Sequence, residues 1–140
     1  MRRSLILAVA ATLAAGTAAA AGDGARAKLL DTLAAQAAKE APGFAGFSAE
    51  RGRALYLGPH AGGKGEVNAC AVCHTANPTA VGRHHKTGRD IPPMAVSVTP
   101  KRFTDPAEVE KRFERDCPGV LGRACTAQEK GDFITYLSAQ

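Results

Sequence analysis

The segment Cys70-Ala71-Val72-Cys73-His74 constrains this chain more than any other. Two cysteines flank two residues and a histidine follows at once, the attachment signature of c-type haem. The spacing has a physical basis. Each thiol can reach one vinyl group of the porphyrin while the adjacent imidazole folds under the ring as the proximal iron ligand. Two other readings compete for the same residues. A thioredoxin-type dithiol wants a βαβ pattern, which is missing, and leaves His74 without a role. A zinc ribbon wants a second close pair, whereas Cys117 and Cys125 are spaced by seven residues and fit poorly.

Residues 1–21 read as a secretory signal: Arg2 and Arg3 first, an apolar stretch from Leu5 to Ala15, then an alanine-rich cleavage region. The apolar stretch is shorter than the roughly 20 residues that span a bilayer. The arginine pair is a weak match to a twin-arginine signal, and export as an unfolded chain suits thioether bonds made beyond the membrane. An uncleaved anchor is the competing reading. The expected location is the bacterial periplasm, and the expected mature domain is residues 22–140. Loss of Arg2 and Arg3 takes the formal net charge from +5 to +3. That mild basicity suits an acidic redox partner or an anionic membrane surface. No concentrated basic run interleaved with aromatics exists, which argues against nucleic acid. With five Phe, two Tyr and no Trp, the chain alone has a thin core, and small domains commonly add a cofactor or disulfide. An oxidising compartment lets Cys117 and Cys125 pair across Pro118, Gly119 and Gly122; two free thiols are the alternative.

The local pattern predicts helices and wrapping loops. Ala25 to Glu40 carries Leu29, Leu30, Leu33 and Ala37 near one face, and Pro42-Gly43 ends it. Ser48 can cap a second helix reaching about Leu57. Glycines from Gly58 to Gly65 make an exposed loop, and residues 75–100 read as irregular chain. Asp105-Pro106-Ala107-Glu108 can cap a helix to about Asp116, with Glu108 closing a capping box. Thr126-Ala127-Gln128-Glu129 is a second box, opening a last helix to about Ser138 with Phe133, Ile134 and Leu137 as its stripe. No alternating strand is evident. The fold class is all-α, in the order of a small class I-like cytochrome c, and Gly52 is expected beside Phe133 or Tyr136 where helices cross.

Function turns on the ligand opposite His74. An ordinary carrier of this class has a methionine just before the last helix, but Asp116 to Cys125 contains none. Met94, in Ile91-Pro92-Pro93-Met94, is either core filler or an alternative distal ligand. Val109, Phe113 and Asp116 fall within roughly 60° of arc on one helix face. A carboxylate on that apolar face needs iron or a hydrogen-bond donor beside it; otherwise Asp116 is simply solvated at the helix end. His84 and His85 lie in a basic stretch that reads as solvated loop, with bis-histidine ligation as the alternative. His60 gives no specific signal. Arg83, Lys86 and Arg89 either meet haem propionates or form wet surface.

The chain resembles the sphaeroides haem protein family of oxygen-binding monohaem cytochromes c, over about Asp31 to Leu137. The resemblance rests on Ala49-Glu50-Arg51-Gly52-Arg53-Ala54-Leu55, the haem motif and Arg102-Phe103-Thr104-Asp105. It continues through Val109-Glu110-Lys111, Cys117, Leu121-Gly122-Arg123-Ala124-Cys125-Thr126 and Glu129-Lys130. It implies one haem c on Cys70 and Cys73, His74 as proximal ligand, and a Cys117–Cys125 disulfide beside the haem. It also implies a distal asparagine that is displaced on reduction so that O2 or NO binds, with a dihaem cytochrome c as electron donor. Asp116 stands where that asparagine is expected. An anionic, harder ligand favours ferric iron.

The leading expectation is therefore an exported monohaem cytochrome that accepts electrons and binds a diatomic gas at a labile distal site. The alternative is a simple electron carrier with His74/Met94 ligation. An enzyme reducing oxygen or oxidising nitric oxide is a third class, on which the sequence makes no decision.

Overall fold

The computed structural model describes residues 15–62 and 65–140. Residues 1–14 of the expected export signal, including Arg2 and Arg3, lie outside the described residues. Helix α1 spans Ala15–Glu40, so it begins well before the Ala25 expected from sequence. Alanine is the strongest helix former and no proline interrupts the run; Gly22 and Gly24 cost about 1 kcal/mol each without ending it. The buried Arg26 ties this helix to a distant loop, donating to the carbonyls of Arg102 (3.2 Å) and Pro100 (2.8 Å). Leu29, Leu33 and Ala37 are buried in a cluster with Val109, Ala127 and Ile134.

Helix α2 covers Ala49–Leu57 and is capped by Ser48, whose hydroxyl accepts from the Arg51 amide. A single turn, α3, covers Ala71–His74. Helix α4 runs Pro106–Leu121 and α5 runs Ala127–Ser138. The Thr126/Glu129 capping box is formed in both directions. At α4 the box is not: Asp105 accepts from the Ala107 and Glu108 amides, but the Glu108 side chain turns to Arg112 instead, at 2.6 Å. Helix α4 also passes the expected end at Asp116. Pro118 removes one backbone donor, yet burial of Cys117, Val120 and Leu121 holds a further turn, which Gly122 ends at φ +75°. Glycine adopts that left-handed conformation without Cβ strain.

The chain from 75 to 100 is mostly irregular but does contain one antiparallel ribbon. Strand β1, Gly82–Arg83, pairs with β2, Asp90–Ile91, in the register Gly82↔Ile91 and Arg83↔Asp90. Two pairs are too few for a period-2 pattern to be read from sequence.

Helices α2 and α5 cross at Gly52. A Cβ there would collide with the Asp132 carbonyl and lie 2.8 Å from Tyr136 Cβ. The crossing is further clamped by Asp132, whose carboxylate receives Arg51 Nε (2.7 Å) and the Ser48 amide (2.7 Å). Asp132 is 4% exposed at its side chain, so these donors replace the water it has lost. None of the described helices is long and apolar enough to cross a membrane.

Candidate haem-binding site

The turn α3 presents Cys70, Cys73 and His74 at the edge of a second apolar cluster. Tyr56, Met94, Phe133, Tyr136 and Leu137 form that cluster, with Cys70, Ala71, Leu55, Phe103 and Phe113 packed against it. Gly82 holds α3 from the other side: a Cβ on it would strike the Cys73 carbonyl and come to 3.0 Å from His74 Cα. Strand β1 thus reaches the motif only because residue 82 has no side chain.

Tyr56 fixes the exit from the motif. Its hydroxyl lies 3.0 Å from the His74 carbonyl and 2.8 Å from the Thr75 carbonyl, sharing one proton between two acceptors. Thr75 has φ +64°, uncommon for a residue other than glycine. Such strain persists only where surroundings over-determine it, often at functional sites. Tyr56 is fully buried, and burial pushes its hydroxyl well above the usual tyrosine range. It therefore stays a donor.

The chemistry of the donors separates the competing readings of the motif. Burial pushes the Cys70 thiol up to about 11, opposite to the depressed thiol of a redox-active dithiol. Cys117 and Cys125 are bonded to each other, with Cα atoms 5.7 Å apart. Among the described residues no three His, Cys, Asp or Glu side chains converge on a metal-sized site, so a zinc ribbon lacks its remaining ligands. His74 fits an iron ligand. Burial first, and the Arg102 charge second, lower its pKa, which keeps the imidazole neutral with a lone pair for the metal. Its Nδ1 is buried without a hydrogen-bond partner, a state that ordinary structural histidines avoid. A half-buried pair of thiols, a neutral imidazole and an apolar bed are the donor set that a thioether-linked porphyrin requires.

Other groups with ligand chemistry lie as follows. Met94 is buried among Tyr56, Phe133, Tyr136 and Leu137, a packing position. His60 reaches the Leu55 carbonyl through Nε2 at 2.9 Å and closes the glycine loop by a bond from its amide to Asn68. His84 and His85 stack on each other on the exposed ribbon, 5.4 Å between centroids. His84 Nδ1 accepts from the amides of Lys86 and Thr87. Arg83 pairs with Asp90, both exposed. Lys86 and Arg89 are exposed as well.

Asp116 is not buried on the apolar face of α4. Its side chain is 49% exposed and forks onto Arg115. Its negative charge adds to the rise that burial causes at Cys70, and at His74 it opposes the lowering by burial and Arg102 without reversing it. Of the two placements that the sequence leaves open for Asp116, the exposure of its side chain matches the solvated one.

Three contributors escaped the sequence reading. No local pattern in the sequence assigns a role to Tyr56 or to Gly82. Arg102 donates to the carbonyls of Pro92 (2.7 Å) and Pro93 (2.6 Å), fastening the segment that carries Met94. A proline pair leaves carbonyls that no ladder satisfies, and a nearby arginine was the available clue.

Helices wrapped about a single Cys-x-x-Cys-His turn define a class I-like monohaem cytochrome c. The family model described as "Domain of unknown function (DUF1924)" matches residues 42–137. Over 112 residues the chain is 48% identical to the cytochrome c-type protein SHP of Cereibacter sphaeroides, covering 79% of this chain and 86% of that one. The chain belongs to this SHP family of c-type cytochromes. The solved structure of oxidized SHP, an oxygen-binding cytochrome c, superposes with a TM-score of 0.75 at 44% identity, covering 82% of this chain and 96% of that chain. The solution structure of cytochrome c'' from Methylophilus methylotrophus, a study of haem-ligand detachment, gives 0.70 at 37% identity and covers 82% and 93%.

Proposed function

We propose that the protein is an exported periplasmic cytochrome that takes electrons from a protein partner and binds O2 or NO at a labile position opposite His74. A dihaem cytochrome c is the partner that the family resemblance suggests, and the mild positive charge suits an acidic docking surface. A haem held by Cys70 and Cys73 would supply a one-electron iron couple and a metal able to take a diatomic ligand. His74 would ligate its iron, with its backbone fixed by the Tyr56 hydroxyl on the His74 carbonyl. The observation that carries the reading concerns the other side. Among the described ligand-type side chains, Met94 is packed in the core, His60 is tied to Leu55, and His84 and His85 lie on the exposed ribbon. Asp116 is the one whose charge reaches His74. An exposed carboxylate is a weak, exchangeable occupant, and SHP itself is described as oxygen-binding.

The test is the absorption spectrum of the reduced holoprotein. A high-spin ferrous spectrum that shifts with carbon monoxide, O2 or NO supports gas binding. A low-spin ferrous spectrum indifferent to all three, with a ferric sulfur-to-iron charge-transfer band, overturns it in favour of Met94 ligation. Asp116→Ala is expected to alter the ferric spectrum and Met94→Leu to leave it nearly unchanged.

A further inference from the structure

Adjacent residues on a helix project about 100° apart and do not normally face each other. Arg115 and Asp116 do so, and completely. Arg115 Nε lies 2.6 Å from Oδ1 and Nη2 lies 2.9 Å from Oδ2. Both carboxylate oxygens are taken by one planar guanidinium, the most directional ion-pair geometry available. The alternative acid on the same side, Glu108, is held by Arg112 at 2.6 Å. Arg115 thus makes its side-chain hydrogen bonds, among the described residues, to Asp116 alone.

The backbone beneath this pair is fixed. Cys117 is 4% exposed and bridged to Cys125, so the Asp116 carboxylate can change partner by rotating its side chain without moving the helix. Phe113, three residues before Asp116 on the same helix, packs on Phe133 at 5.6 Å between ring centroids, in the cluster that Cys70 also packs against, which sets this end of α4 beside the haem-binding turn.

We propose that Arg115 is a positioning residue that competes with the haem iron for the Asp116 carboxylate, capturing it when the iron is reduced. This rests on Asp116 being the distal ligand. The balance is simple. A redox partner supplies one electron to the iron; the iron–oxygen bond breaks, with the carboxylate leaving as an anion. Two N–H···O bonds to Arg115 replace that bond, and no proton moves. The guanidinium keeps its charge in both states, while the hard anion loses attraction for a metal whose charge has fallen. Capture therefore assists release of the distal position in the ferrous protein and opposes ligation in the ferric one.

An exposed ion pair biases such an equilibrium by about two- to fivefold. Arg115→Gln should therefore raise the carboxylate-ligated ferric population by that factor. A fivefold bias corresponds to a reduction potential lower by roughly 40 mV, taking 59 mV per tenfold for one electron. Removing a nearby positive charge lowers the potential on its own account, so the experiment is a double-mutant cycle on purified holoprotein. Wild type, Arg115→Gln, Asp116→Ala and the double variant are compared by potentiometry and ferric absorption. A shift from Arg115→Gln that shrinks clearly in the Asp116→Ala background supports capture. An equal shift in both backgrounds overturns it, leaving Arg115 as a through-space charge. If Asp116→Ala leaves the ferric spectrum unchanged, the distal-ligand reading fails and the proposal falls with it.

Discussion

The two sides of the haem site are built to different standards. Below, the Cys70–His74 turn is wedged between Gly82, which tolerates no Cβ, and Tyr56, fully buried with its hydroxyl on two motif carbonyls. Above, the distal ligand proposed here, Asp116, is a half-exposed carboxylate that already has another partner. The lesson is thermodynamic. A ligand held by packing cannot leave without disturbing many contacts. One held by a surface ion pair, worth at most about 1 kcal/mol, exchanges readily.

Two glycines offer the sharpest contrast. Gly52→Ala puts a methyl into the Asp132 carbonyl at the α2/α5 crossing and should cost about 3 kcal/mol or more. Gly119→Ala in α4 meets nothing within 4 Å and should stabilise by about 0.5–1 kcal/mol. Denaturant titration of both variants checks the pair. Equal penalties would erase the distinction between the regions.

A smaller effect is expected from the disulfide. Replacing Cys117 and Cys125 together with Ser opens a loop of sequence separation 8, for which chain entropy gives about 2–3 kcal/mol. The loss should fall on the distal side, changing the ferric spectrum while the haem stays attached. Tyr56→Phe comes next. It strips a donor from two motif carbonyls, at about 1–2 kcal/mol, read as a lower melting temperature of the holoprotein.

The smallest expected effect lies at the rim, where Arg123 holds the Glu129 carboxyl below its usual pKa of 4.5. A depressed folded-state value means the contribution is present above the unfolded pKa and fades as pH falls through the folded one. The Arg123 side of the pair is exposed, so the gain stays under about 1 kcal/mol. Melting curves of wild type and Glu129→Gln should differ near neutrality and converge in acid.

What could be read from sequence was whatever is local. The Thr126/Glu129 box and the Ser48 cap need only three or four consecutive residues, and both stand where the pattern puts them. The end of α4 does not, because Pro118 is a local stop that tertiary burial of Val120 and Leu121 overrides. The motif itself was legible at once. Its support was not, since the Tyr56 hydroxyl finds carbonyls 18 and 19 residues away and nothing near Tyr56 announces them. For Asp116, periodicity left a buried and a solvated placement both open, and the outcome involves a neighbour that turns toward it.

The central claim is an iron gripped from one side and left exchangeable on the other. Resonance Raman spectroscopy of the ferrous holoprotein addresses both halves at once, because the iron–histidine stretch is seen only when imidazole is the sole axial ligand of a high-spin ferrous haem. The account predicts that this mode is present, survives Met94→Leu, and disappears when carbon monoxide is added. A six-coordinate low-spin ferrous spectrum without that mode would contradict it.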